Sequence, residues 1–77
     1  MIIFEKNRVM EFKWEDGFKI AVKNEGGQVR ISANREGLIS LANHLKALAE
    51  ETPGSHFHLD KYNSLDDGSD ELVVEKC

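Results

Sequence analysis

Asn34-Arg-Glu-Gly-Leu-Ile-Ser-Leu-Ala-Asn-His-Leu-Lys-Ala-Leu-Ala-Glu-Glu-Thr-Pro-Gly54 is the stretch of this chain with helical periodicity, and its reading decides the fold. Leu38, Leu41, Leu45 and Leu48 recur at three- and four-residue spacing, with Ala42 and Ala49 filling the same stripe. Asn34 suits the N-cap, and Glu36 falls in the first turn, where the helix dipole favours a carboxylate. Gly37 would cost about 1 kcal/mol against alanine in mid-helix. So near the first turn the cost is smaller, and the missing side chain lets the helix approach a sheet. Thr52-Pro53-Gly54 ends the helix, because proline can neither donate its amide nor continue the turn. His44 falls at the edge of the leucine stripe, about 100° from Leu45. It reads as a boundary histidine bonded to a backbone group or water.

Strands flank this helix on both sides. Upstream, Met10, Phe12 and Trp14 alternate with Glu11, Lys13 and Glu15, and Asp16-Gly17 gives a two-residue hairpin signal. Phe18, Ile20 and Val22 continue the apolar face. Asn24-Glu-Gly-Gly27 marks a second turn, after which Val29, Ile31 and Ala33 alternate with Gln28, Arg30 and Ser32. Ile2 and Phe4 read as strand too, with Lys6-Asn7-Arg8 breaking the alternation at a tight turn or a bulge. Downstream, Gly54-Ser-His-Phe-His-Leu-Asp60 and Glu71 to Lys76 give two more strands. Between them Lys61 to Asp70 is a long loop rich in turn formers, with Tyr62 and Leu65 expected to fold back as anchors.

The sum is a β-β-β-α-β-β order: an α+β fold with an antiparallel sheet of about five strands and one helix packed on one face. Residues 1–77 make a single small domain. One helix leaves the other face of such a sheet polar and wet, or in contact with another molecule. Glu11, Lys13, Lys19, Ala21, Lys23, Arg30, Ser32, His56, His58 and Val73 are its inferred members.

The charge is unevenly distributed. Residues 1–35 hold seven Lys and Arg against five Asp and Glu, a net of +2; residues 36–77 hold three against nine, a net of −6. An acidic second half disfavours a phosphate backbone as ligand and suits a basic protein partner. Trp14, Phe18 and Tyr62 could stack bases, but no Lys/Arg stripe accompanies them, so nucleic acid is not expected. The cysteine at position 77 is the only one, which excludes an intramolecular disulfide. Met1-Ile-Ile-Phe4 gives way at once to Glu5 and Lys6, and no segment approaches the roughly 20 apolar residues of a membrane span. The expectation is a cytoplasmic protein with no membrane contact.

The row His56, His58 and Asp60 is the chemically distinctive feature, because period-two alternation puts all three side chains on one side of a strand. Imidazole and carboxylate suit zinc or a related ion, so a small metal-binding domain is one reading of the His-x-His-x-Asp strand. A polar face packed on neighbouring strands is the more frequent outcome for such a pattern. Ser55, His56 and Asp60 are too crowded along one strand for a relay triad. Asp66-Asp67 lies in a solvated loop, and no GxGxxG, P-loop, CxxC or HExxH pattern is present. Neither a catalytic residue nor a cofactor is expected, and the chain does not read as an enzyme. A homo-oligomeric structural module is a further alternative, with the open sheet face or an edge strand pairing with its own copy. Lys19, Lys23 and Arg30 would oppose that, so the state expected is a monomer or weak homodimer.

Ile31-Ser-Ala-Asn-Arg-Glu-Gly-Leu38 followed by Leu41-Ala-Asn-His-Leu45 resembles immunity protein family 32 of bacterial polymorphic toxin systems. Gly54-Ser-His-Phe-His-Leu-Asp60 and Glu71-Leu-Val-Val-Glu75 are similar to that family as well, so the resemblance spans roughly residues 28–76. It implies a small cytoplasmic α+β protein that binds a cognate toxin domain and blocks it, and it carries over no catalytic residue. Joined to the acidic tail, it makes His56, His58, Asp60, Tyr62, Asp66, Asp67 and Asp70 the expected partner-binding residues.

Overall fold

Several turns and caps among the described residues trace to named side chains or glycines. The structure, a computed structural model, describes the backbone of residues 2–5 and 8–11 and all of residues 13–77. Strands β1 (Ile2–Glu5) and β2 (Arg8–Glu11) pair antiparallel, with Glu5 opposite Arg8. The break expected at Lys6-Asn7-Arg8 falls on residues 6 and 7, which lie outside the described residues, as do the side chains of Met10 and Phe12. Strands β3 (Ile20–Glu25) and β4 (Gln28–Ala33) form the second hairpin, with Glu25 opposite Gln28. Its two-residue loop is Gly26-Gly27, with φ of 56° and 81°. Positive φ at both central positions is the type I′ geometry that matches strand twist, and glycine meets it without strain. The hairpin expected at Asp16-Gly17 is instead a turn inside a loop, because β2 ends at Glu11 and β3 begins at Ile20.

Helix α1 covers Arg35–Ala49. Its N-cap is Asn34, whose Oδ1 accepts from the amides of Gly37 at 2.7 Å and Lys19 at 3.0 Å, while Nδ2 donates to Gly17 O at 2.9 Å. One side chain thus starts the helix and ties it to the loop before β3. Gly37 is required by close approach: a Cβ there would run into the carbonyl oxygen of Lys19 and lie 3.0 Å from both Ala33 Cβ and Ile20 Cγ1. At the other end, Lys76 Nζ donates to Ala49 O at 2.7 Å and Glu51 O at 2.6 Å, a cation where the helix leaves its carbonyls unpaired.

The third hairpin pairs β5 (His56–Leu59) with β6 (Leu72–Glu75), His56 standing opposite Glu75 and Leu59 opposite Leu72. The pairing runs on past the strand ends, Gly54 N donating to Lys76 O and Lys76 N to Ser55 O. The described residues therefore hold six strands in three two-stranded antiparallel sheets, not one sheet of about five. The reason lies in the loop before β6. Its residues 66–70 occupy the free edge of β3: Asp66 N donates to Ile20 O at 2.9 Å and Asp70 N to Val22 O at 2.8 Å. Val22 N is met by Ser69 Oγ at 3.2 Å, and Asn24 N by Asp70 Oδ2 at 2.8 Å. Loop atoms satisfy the edge that another strand would have taken. Among the described residues there is no single open sheet face of the kind expected from one long sheet.

Ile20, Val22, Leu48, Phe57, Leu59 and Leu65 form the buried core, with Trp14, Phe18, Ala33, Leu41, Ala47, Leu72 and Val74 packed around it. The helix meets this core through Gly37, Ser40, His44 and Leu48. That is the expected leucine stripe turned by about one residue step of 100°. Leu48 is buried and Leu41 half-buried in either setting, but Leu38 is 54% and Leu45 45% exposed. Two polar residues take their place because each finds a backbone hydrogen-bond partner there. Ser40 Oγ accepts from Glu15 N at 2.8 Å, and His44 Nδ1 hydrogen-bonds to Ser40 O. His44, expected at the boundary, is fully buried between aromatic rings, its centroid 4.1 Å from Trp14 and 5.6 Å from Phe57. The backbone partner expected for it is present. Burial holds its imidazole below the ordinary histidine range, partly opposed by the bond to Ser40.

Candidate functional site

The β5–β6 hairpin sorts its side chains cleanly. Phe57 and Leu59 are buried, and His56 and His58 are exposed. Register places Glu75 across from His56 and Val73 across from His58, so these four residues share the outer face with Glu71. His58 Nδ1 lies 3.0 Å from Glu71 Oε2, and His56 Nδ1 lies 3.2 Å from Gly54 O. The two imidazoles stand edge to face, with centroids 5.0 Å apart and planes at 71°. The alternation read from sequence is right for this pair.

Asp60 does not join them. It follows the last residue of β5, and its carboxylate turns into the loop. Oδ1 accepts from the amides of Tyr62 at 2.9 Å and Asn63 at 3.0 Å. The Asp60 amide donates in turn to Asn63 Oδ1 at 3.0 Å, and its carbonyl takes Ser64 N and Leu65 N. This is an aspartate building a turn from its own backbone neighbours. It is committed to shape, so the three-residue row expected from alternation stops at two. Among the described residues no three His, Cys, Asp or Glu side chains are grouped to hold a metal ion.

The loop beyond divides into held and free residues. Leu65 is buried and anchors it, as expected. Tyr62, the other expected anchor, is 87% exposed, with Lys61 Nζ 5.2 Å from its ring centroid. Asp66 and Asp67 are exposed, and no hydrogen bond to either carboxylate is found among the described residues. Asp70 differs: its carboxylate receives the Asn24 amide, and beside it the Lys23 ammonium donates to Gly68 O. A groove of about 440 Å³ opens between this hairpin and the β3–β4 hairpin. Val22, Val29, Leu72 and Val73 give it apolar walls, and Asn24, Asp70 and Glu71 polar ones. Of the residues around it, Glu71 was missed by sequence reasoning. Its signal was available, because alternation through Val73 puts Glu71 and Glu75 on the same face as the histidines.

With this geometry in place, comparison with known families identifies the family. The family model described as Immunity protein 32 matches residues 28–77. The chain belongs to that family. No curated protein and no solved structure matches it. The Immunity protein 32 segment opens at the first residue of β4 and takes in the helix and the whole β5–β6 hairpin. Ile20, Val22 and Trp14 lie before it, although Ile20 and Val22 are central to the core. Within the family segment lie His56, His58, Tyr62 and the acidic loop. Among the described residues no helix is long and apolar enough to cross a membrane.

Proposed function

We propose that this chain is a toxin-neutralising immunity protein, which binds a cognate bacterial toxin domain and occludes it without chemistry of its own. Membership in the Immunity protein 32 family carries the reading. The contact surface is the outer face of β5–β6 together with the loop that follows, where His56, His58, Tyr62, Asp66 and Asp67 project. Tyr62 supplies the kind of exposed aromatic that anchors protein interfaces. The net charge of −6 over residues 36–77 favours a partner with a basic surface, whose encounter it would steer. Asp60 and Asp70 act from behind, shaping the loop rather than meeting the partner directly.

Co-expression with a toxin domain encoded beside it tests the reading. Host viability should return, and Tyr62→Ala combined with Asp66→Lys and Asp67→Lys should weaken binding without lowering the melting temperature. Killing that continues in the presence of soluble immunity protein would refute the pairing. Association with the toxin should also slow as salt rises, and a rate indifferent to ionic strength would remove the electrostatic part.

A further inference from the structure

We propose that His56 and His58 form a two-imidazole site for a divalent transition-metal ion of the zinc and nickel class, bound through both Nε2 atoms. Three observations carry it. The first is spacing: nitrogen-to-metal bonds of about 2.0–2.1 Å at a tetrahedral ion put two imidazole centroids about 5 Å apart. Those of His56 and His58 are 5.0 Å apart. The second is tautomer. Gly54 O can only accept, and so can the Glu71 carboxylate when ionised, so each Nδ1 carries a proton. On a neutral ring the lone pair is then on Nε2 in both residues.

The third is support. Metal-binding histidines characteristically donate their second ring nitrogen to a carboxylate or a backbone carbonyl, which fixes the ring and raises its basicity. His58 has the carboxylate and His56 the carbonyl. Glu75, opposite His56 in the register, stands on the same face. Asp60, the third member of the row read from sequence, is not a ligand because two backbone amides hold its carboxylate. The site shares His56 and His58 with the proposed toxin-contacting face, but its test needs no toxin and fails or succeeds apart from that reading.

Calorimetric titration of the full chain with zinc chloride, in a Cys77→Ser background that removes the exposed terminal thiol, should show one saturable equivalent. Proton–nitrogen correlation spectra should show the His56 and His58 ring signals moving together. His56→Ala or His58→Ala should weaken binding about tenfold or more, and Glu71→Gln by about tenfold, as loss of an orienting partner does. Asp60→Asn should leave the affinity unchanged. Melting curves of the exposed-residue variants confirm that each is folded before titration. Absence of binding to the parent would overturn the site, as would unchanged affinity in the His56→Ala/His58→Ala double variant.

Discussion

The orientation of the helix can be tested by truncating three leucines of the same stripe, one at a time. Leu38, Leu45 and Leu48 are equivalent by periodicity but not in the structure, where their exposures are 54%, 45% and 4%. Full burial of a leucine side chain is worth about 1.5–3 kcal/mol. About half of that is at stake for Leu38 and Leu45, so each alanine variant should lose about 1 kcal/mol, with alanine's helix propensity recovering a little. Leu48→Ala removes a core side chain and leaves a cavity, at about 2–5 kcal/mol. In a domain this small 1 kcal/mol moves the melting point by about 4–8 °C. The contrast should be plain in urea unfolding followed by far-ultraviolet circular dichroism. Ser40→Leu supplies the converse. Were the leucine stripe buried, Ser40 would be peripheral and the change harmless. With Ser40 fully buried and holding the Glu15 amide, it should cost about 1–3 kcal/mol from overpacking alone. Losses at Leu38 or Leu45 equal to that at Leu48, or a neutral Ser40→Leu, would refute the helix orientation.

Asn34→Ala should destabilise by about 1–2 kcal/mol through loss of the N-cap, whereas Asn34→Asp, which keeps the acceptor, should lose much less. Equal losses in the two would show that the Nδ2 bond to Gly17 O, not the cap, matters. The His44 imidazole is held neutral by burial, while the unfolded chain takes up a proton below about pH 6.5. Stability from this group should thus be complete above that pH and fall as pH drops through it. The measurement belongs in a His56→Gln/His58→Gln background between about pH 7 and 5, and stability that rises on acidification would contradict it. Asp70→Lys should lower the melting point by removing the acceptor for Asn24 N, and Asp66→Lys with Asp67→Lys should not. A neutral Asp70→Lys would mean that the loop is held on β3 by its backbone bonds alone.

Much of the architecture is written locally and could be read from the sequence. Paired glycines fix the β3–β4 turn, Asn34 and Pro53 bracket the helix, and alternation from His56 to Leu59 sorts one strand into a core face and an outer face. What could not be read depends on partners distant in the chain. Ser40 and His44 are polar, and a stripe drawn through the leucines leaves His44 at its edge and passes Ser40 by. They turn inward because the Glu15 amide and the Ser40 carbonyl await them, and no local pattern announces that. The edge of β3 is closed by the backbone amides of residues 66 and 70 and the side chains of Ser69 and Asp70, and such loop contacts leave no periodicity to detect. Asp60 was legible as the acidic end of a strand row and Asp70 as an acidic loop residue, but neither as a residue already engaged.

That engagement constrains where a binding surface can lie. A surface specific for one partner must be able to change without loss of the fold, and the seven residues first read as partner-binding divide on that ground. Asp60 shapes the turn after β5, and Asp70 holds the loop to β3; replacing either changes the backbone on which the others stand. His56, His58, Tyr62, Asp66 and Asp67 are exposed and contribute little to the core. Their positions are nonetheless well set, because Leu65 is buried between them in sequence and Asp66 N is tied to Ile20 O. Side chains free to vary on a backbone that is not are what tight, specific recognition requires, since little ordering remains to oppose binding. The core residue Ile20 that holds this loop lies before the segment matching the Immunity protein 32 family. The family segment alone would therefore carry the proposed contact surface without the strand that fixes its shape.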